Sequence, residues 1–345
     1  MHLTCIHAAG RPRTEVRAGV LGRRCRDACP VRSGAQAVMA DPRVLVFAYH
    51  DVGYECLDAL LARGVQVIAV LTHADDLHED IWFKPVAALA RSREVPVYTP
   101  PNVNAPDWVA RIRALAPDLI FSFYYRHLIA PEILQLARLG AYNMHGSLLP
   151  KYRGRAPINW AVLHGERETG ATLHVMVKRP DAGDIVDQER VTIGPAETAR
   201  DVLVRVAVAA RAVLERQLDN LQAGRAPRLP QDETQATYFG GRRPEDGRID
   251  WRHDAGAIFN LIRAVTHPYP GAFTEFADKR LFVWWATAAA CAKAAPGEVL
   301  SSAPLRIATG DGCLDIIEWQ WQGDARSAHG NGHGLRAGLV LDAGS

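Results

Sequence analysis

An amide, an imidazole and a carboxylate occur at spacings that could serve one reaction. Asn143 and His145 lie two apart near the end of an apolar run, in Asn143-Met144-His145-Gly146-Ser147-Leu148-Leu149-Pro150. Side chains alternate faces along a strand, so these two point the same way. Asp181 follows a later apolar run, in Lys178-Arg179-Pro180-Asp181-Ala182-Gly183-Asp184, on a loop able to reach His145. An imidazole such as that of His145 can shuttle a proton near neutral pH. Asn143 can donate its amide N–H to an oxyanion. Asp181 can fix the imidazole tautomer and stabilise its protonated form, raising its pKa. No Ser or Cys stands in a nucleophile elbow. The set therefore favours direct attack of a substrate group on a carbonyl over a covalent enzyme intermediate. The loop Lys151-Tyr152-Arg153-Gly154-Arg155-Ala156-Pro157 adds three cations for anionic groups. A lone histidine at a strand end also fits a structural role, and residue types alone do not choose.

The elements that must position these residues are legible as alternating apolar strands and amphipathic helices. Strands are expected at 43–49, 65–72, 95–98, 119–123 and 140–145. Helices are expected at 54–62, 84–93, 107–115 and 131–139, with a polar turn at His50-Asp51. This β-α rhythm predicts a doubly wound, mostly parallel α/β sheet, with ligands beyond the strand ends. A strand pair over 172–177 and 185–193 follows. Thr198 with Asp201 three residues on marks the start of a long helix ending near Gly224. Residues 225–249 are rich in Pro, Gly, Arg and acid, and read as a connection. Then come a helix over 254–265 and short strands at 272–276, 281–286, 297–300, 305–309 and 313–321. Many short strands suggest a small OB-like β-barrel. The expected domains are a leader at 1–40, a catalytic domain at 41–228, a linker at 229–249, a β-barrel domain at 250–324 and a loose tail at 325–345.

The composition is that of a globular protein: 345 residues, 48% hydrophobic, with a formal charge of +2. That charge is unevenly spread. The first 38 residues hold seven Arg and two acids, so residues 39–345 carry 33 basic and 36 acidic residues, a net of −3. His73-Ala74-Asp75-Asp76-Leu77-His78-Glu79-Asp80 is acidic where a phosphate backbone would need cations, which argues against a nucleic-acid partner. No apolar run reaches the roughly 18 residues of a membrane helix. The leader has no apolar segment behind Arg23-Arg24, so an export signal is not expected. The six cysteines form no disulfide framework, and a reducing cytoplasm is the simplest compartment. His2, Cys5, His7, Cys25 and Cys29 fit no common zinc spacing, and no metal is expected. Met39, just ahead of the first strand, is the expected translation start.

The long loop motif carries a resemblance. Asn143-x-His145-Gly-Ser-Leu-Leu-Pro-x-Tyr-Arg-Gly, with Asp181-Ala-Gly-Asp-Ile, resembles the folate-dependent formyltransferase family, and Ile262-Arg263-Ala264 with Tyr269-Pro270-Gly271-Ala272 resembles that family's second-domain signature. The similarity covers about residues 43–320. Within the family it is greatest to the branch acting on UDP-4-amino-4-deoxy-L-arabinose. That branch similarity rests on Val46 to Asp51, Phe121 to Ile129, and Met176 to Arg179.

The resemblance implies transfer of a formyl group from 10-formyltetrahydrofolate to the 4-amino group of that nucleotide sugar, a step in lipid A modification and polymyxin resistance. It implies Asn143, His145 and Asp181 as the catalytic triplet. It places the folate against His127, Leu128 and Ile129 and against Val177, Lys178, Arg179, Pro180 and Asp181, and assigns Arg155 to substrate. Pro180 departs from the small residue of the relatives and removes a backbone N–H from the folate loop. Larger relatives add a NAD-dependent decarboxylase domain; at this length transferase activity alone is the expectation. The rival substrates are other nucleotide amino sugars and methionyl-tRNA. A NAD-dependent oxidoreductase would need a G-x-G-x-x-G fingerprint after the first strand, where only Gly53 is found.

Overall fold

The computed structural model describes residues 41–75 and 81–341. The leader with its cysteines, the start expected at Met39, and Asp76 to Asp80 of the acidic loop lie outside the described residues.

The first half of the fold is built on strands buried on both faces. β1 (Val44–Ala48) is followed by α1 (His50–Ala62), β2 (Val67–Leu71), α2 (Val86–Ser92), β3 (Val97–Tyr98), α3 (Pro106–Leu115), β4 (Leu119–Phe123), α4 (Pro131–Leu134) and β5 (Ala141–His145). Every residue of β1 and β4 is buried, as continuous apolar runs in a parallel sheet require. The two-residue period splits β1 between two cores. Val44, Val46 and Ala48 join the cluster built with α1, while Leu45 and Phe47 join Val109, Ile112 and Ile133 from α3 and α4.

The chain continues through β6 (Arg153–Gly154), α5 (Pro157–Leu163), β7 (Glu168–Val175), β8 (Ile185–Thr192) and α6 (Ala199–Gln222). The sheet order is β3-β2-β1-β4-β5-β7-β8. Pairing is parallel from β3 to β5 and antiparallel at β5–β7 and β7–β8. The doubly wound, mostly parallel α/β sheet is therefore present. α6 opens with the expected capping box: Asp201 N donates to Thr198 Oγ1 (3.2 Å) and Thr198 N donates to Asp201 Oδ2 (2.9 Å). Val202, Val206, Ala210 and Val213 form its buried face against α1 and the β7–β8 hairpin.

Three local expectations differ. α1 starts at His50, where a polar turn was expected, because His50 takes up the direction change itself with φ +66°. α4 is a single turn; beyond it Leu139 N donates to Asp118 O (2.8 Å), so the segment runs alongside the start of β4. α5 is a helix where none was expected from the sequence.

Residues 229–249, read as a linker, include β9 (Tyr238–Phe239), which pairs in parallel with β6. α7 (Ala255–Val265) follows, capped by Asp254, which accepts from Ala257 N at 2.8 Å. β10 (Ala272–Phe276), β11 (Lys279–Ala289), β12 (Val299–Ser302), β13 (Leu305–Ala308), β14 (Cys313–Trp321) and β15 (Ala328–His329) form an antiparallel sheet in the order β10-β11-β14-β13-β12, with β15 on β14. α7 packs on this sheet and on α5. Asn159 of α5 donates to Ala264 O of α7 (2.8 Å), joining the two halves.

The segment read as a loose tail is mostly exposed but is anchored at a few buried residues as far as residue 341. Leu335 and Leu341 are buried. Buried His333 accepts from Leu335 N on Nδ1 (3.1 Å), which leaves Nε2–H to donate to Ser302 O (3.1 Å). Among the described residues no helix is long and apolar enough to cross a membrane.

Candidate active site

Asn143 and His145 share one face of β5, as their spacing requires. The antiparallel register with β7 sets His174 opposite Asn143 and Thr172 opposite His145. The β7–β8 connection then brings Asp181 onto all three polar side chains. Asp181 Oδ1 lies 3.6 Å from His145 Nδ1 and 3.4 Å from His174 Nε2. Asn143 Nδ2 lies 3.5 Å from the same oxygen and 3.1 Å from His174 Nε2. The structure thus brings Asn143, His145 and Asp181 together, and adds His174, which sequence reasoning missed. Its position in the strand expected over 172–177 was legible. The register that sets it beside Asn143 was not.

Hydrogen-bond chemistry assigns the protons. His145 Nε2 lies 2.7 Å from Tyr152 O. A carbonyl only accepts, so Nε2 carries a hydrogen and donates it, and Nδ1 is the nitrogen that gains or loses a proton opposite Asp181. His174 is arranged the other way round. Its Nδ1 donates to Val175 O (3.0 Å), leaving Nε2 to accept from the Asn143 amide. This fixes which end of the Asn143 amide faces the carboxylate.

Burial of Asp181 acts to raise its pKa. The charge of a protonated His145, the polar His174 ring beside it and the Gly154 N–H outweigh that burial and hold the carboxyl well below the ordinary range. The group is a carboxylate at any working pH.

The turn carrying Asp181 is held from two sides. Gly154 N donates to Asp181 Oδ2 at 2.9 Å. Gly154 has φ +100°, and a Cβ there would lie 2.2 Å from Phe239 O, so β6 can pair with β9 only through glycine. On the other side Gln231 Nε2 donates to Asp181 O (2.8 Å) and Gly183 O (2.6 Å). Gln231 Oε1 in turn accepts from Arg153 Nε (3.1 Å) and Nη2 (2.7 Å). Arg153 also donates to both oxygens of Glu233 (2.7 and 3.1 Å) and to Tyr238 Oη (2.9 Å). Of the three loop cations expected to meet anions, Arg153 is therefore spent inside the fold: it is wholly buried. Lys151 and Arg155 are exposed. Arg155 Nη2 donates to Arg126 O at 3.4 Å.

The flanking residues divide by role. Leu128 and Val177 are apolar yet 71% and 44% exposed, on connections leaving β4 and β7, the two neighbours of β5. Asn104 holds the first connection, donating to Leu128 O (2.9 Å) and accepting from Ala130 N (2.8 Å). His127 is exposed, its ring edge-on to His73. Ile129 is buried in the core with α3, so only its backbone can meet a ligand. Lys178 and Pro180 are exposed. Arg179 turns towards Glu233 (3.0 Å) and lies over the Tyr238 ring. Among the described residues no group of three or more His, Cys, Asp or Glu side chains could hold a metal ion.

This arrangement can deliver an amide N–H and a proton-carrying imidazole to one carbonyl, with a carboxylate behind them. Comparisons with known proteins point the same way. Residues 43–218 match the family described as formyl transferase, and residues 242–330 match the formyl transferase C-terminal domain. Among solved structures, an N-formyltransferase from Helicobacter canadensis in complex with folinic acid and dTDP-3-aminofucose is 20% identical, covers 79% of this chain and 97% of its own, with a TM-score of 0.62. A sugar N-formyltransferase from Shewanella sp FDAARGOS_354 is 18% identical over 70% of this chain and 96% of its own, TM-score 0.57. HypX from Aquifex aeolicus in complex with tetrahydrofolic acid is 20% identical over 84% of this chain, TM-score 0.58; the chain spans about half (46%) of the length of HypX. At these identities the structures show a shared fold, whereas the family models span most of the chain, and the protein belongs to the formyl transferase family as a formyltransferase enzyme.

Proposed function

We propose that the enzyme transfers a formyl group from 10-formyltetrahydrofolate to the 4-amino group of UDP-4-amino-4-deoxy-L-arabinose. The observation that carries this reading is the convergence of Asn143, His145 and Asp181 within 3.6 Å of one another or of a shared oxygen. The branch similarity at residues 46–51, 121–129 and 176–179 supports the arabinose acceptor.

A folate fits the residues present. Exposed Leu128 and Val177 offer apolar contact to a flat ring system on connections either side of β5, and exposed His127 adds an aromatic edge. These residues, the backbone of Ile129 and the 178–181 turn would hold it, and when bound it supplies the formyl group. Asn143 donates to the oxygen that gains negative charge as the acceptor amine adds to the carbonyl. His145 Nδ1 takes up the proton released by the amine and gives it to the folate nitrogen that departs as its bond to the formyl carbon breaks, while Nε2–H stays on Tyr152 O. Asp181 stays ionised and stabilises the imidazolium that results. Arg155, exposed at the loop end, meets the acceptor.

A second acceptor class has its own support: the Helicobacter canadensis neighbour was solved with dTDP-3-aminofucose. The test is a formylation assay with 10-formyltetrahydrofolate and a panel of UDP-4-amino-4-deoxy-L-arabinose, dTDP-amino-hexoses and methionyl-tRNA. The expected outcome is turnover on the UDP sugar at a kcat/KM at least about tenfold above the rest. Preference for a dTDP sugar would move the assignment to the second class, and turnover on tRNA alone would overturn both.

A further inference from the structure

Cys291 and Cys313 stand on different elements of the second half, and the sheet order β10-β11-β14-β13-β12 brings them together. After leaving β11 at Ala289, the chain must pass the ends of β14 and β13 before it enters β12 at Val299. β14 begins at Cys313, which is in register with Ala289 of β11 on one side and Ala308 of β13 on the other. Cys291, the second residue of that crossing, therefore passes over the first residue of β14. The two thiols meet there and are hydrogen-bonded to one another.

The pair is asymmetric. Cys313 is fully buried, and its Sγ donates to Ala289 O at 3.4 Å. Cys291 is partly exposed, next to exposed Ala292 and Lys293. Burial, then the hydrogen bond with Cys291, pushes the Cys313 thiol above its ordinary pKa against the charge of Arg306. Cys313 therefore waits as a protonated thiol, and Cys291 is the sulfur that a reagent from solvent meets first. Arg306 is held by both oxygens of Asp315 (2.6 and 2.9 Å), and its charge reaches both thiols. A fixed cation beside a thiol pair is a setting that promotes thiol–disulfide exchange. Cys56, the third cysteine among the described residues, is sealed in the core with its thiol pushed up by burial.

We propose that Cys291 and Cys313 form a reversible disulfide, a redox latch that fastens the β11–β12 crossing to the start of β14. The co-reactant is a low-molecular-weight disulfide. The Cys291 thiolate attacks one of its sulfurs, the S–S bond breaks, and one small thiol leaves with the proton that Cys291 gave up. Cys313 loses its proton as it attacks the mixed disulfide at Cys291 Sγ, and the second small thiol leaves with that proton. The two protein thiols are oxidised by two electrons and the small disulfide is reduced to two thiols. The latch bears on the junction with the first half. The turn Gly310-Asp311-Gly312 leads straight into Cys313 and seats the start of α7: Ala255 N donates to Asp311 O (3.0 Å) and Gly310 N to His253 O (2.9 Å). α7 in turn packs on α5.

The test uses the full chain, equilibrated with reduced and oxidised glutathione, quenched by alkylation and digested for mass spectrometry. Wild type is expected to yield a peptide pair joining Cys291 to Cys313, and to lose it on adding dithiothreitol. Its melting temperature should rise by several degrees on oxidation, because closing the 291–313 loop constrains the unfolded chain. C291S and C313A should show no such rise. C313A should accumulate glutathione on Cys291, whereas C291S should leave buried Cys313 unmodified. Cys291 and Cys313 that both remain open to alkylation at the most oxidising ratio overturn the latch. So does a rise in melting temperature that persists in C291S, or pairing of Cys291 with a cysteine other than Cys313. C291S changes a partly exposed residue and should fold as wild type does, so it decides the question even if C313A fails to fold.

Discussion

Gln231 Nε2 donates to the main-chain carbonyl of Asp181 at 2.8 Å, so a residue of the interdomain connection fixes the turn that carries the carboxylate. Gln231 is also the acceptor for two N–H groups of buried Arg153. Replacing it by Ala strands two carbonyls and two guanidinium donors, each costing about 1–3 kcal/mol where water cannot reach. Q231A should lower the melting temperature by several degrees and reduce kcat about tenfold or more through the displaced turn. Differential scanning calorimetry and steady-state kinetics check both; unchanged kcat would mean that Asp181 holds its place without this support.

D181N tests the carboxylate. Its folded pKa is depressed, so the stability it contributes is fully present above the unfolded value of about 3.9 and is lost as pH falls through the folded value. The variant should be less stable than wild type at pH 7, with the gap in melting temperature closing below about pH 4. A gap that is constant from pH 3 to pH 7 would contradict the ionised assignment. Turnover should fall about 100-fold or more, because the imidazolium loses its counter-charge. No acid limb of the activity profile above pH 4 should belong to Asp181.

Much of this arrangement was legible beforehand and some was not, for physical reasons. Asn143 and His145 share a face because strand side chains alternate, which spacing alone reveals. Thr198 and Asp201 announced α6 because a capping box is local chemistry. His174 and Gln231 reach the site through long-range pairing, by strand register in one case and an 85-residue return of the chain at β6–β9 in the other. Neither register nor return is encoded in neighbouring residues. Arg153 illustrates the opposite error: a cation in a glycine-rich loop looks available for anions until Gln231, Glu233 and Tyr238 are seen to enclose it.

H145A should lower kcat by about 10²- to 10⁴-fold, the usual worth of a positioned proton carrier. Folinic acid binding should be retained, because the residues proposed to hold it lie on other connections. The tautomer is separately observable: ¹⁵N chemical shifts of the neutral His145 ring should show the hydrogen on Nε2, held by Tyr152 O. A hydrogen on Nδ1 would place the exchanging nitrogen away from Asp181 and sink the proposed proton path.

G154A meets two obstacles, the positive φ and the Phe239 carbonyl at 2.2 Å from the added Cβ. The β6–β9 contact must open to admit it, withdrawing the N–H from Asp181. A destabilisation of about 2 kcal/mol or more is expected, with a drop in kcat larger than that of a surface Gly→Ala such as G330A, where nothing lies within 4 Å. Chemical denaturation and kinetics on the two variants make the comparison, and equal behaviour would refute it.

The pairing of β6 with β9 also sets an order in time. A chain made from its N-terminus can close the parallel sheet while Gln231 and Phe239 are still to be synthesised. His145 and Asp181 are then present without the clasp that aligns them. On that order the alignment of the reactive centre waits for the 231–239 segment, and a nascent chain would close its sheet before it becomes competent.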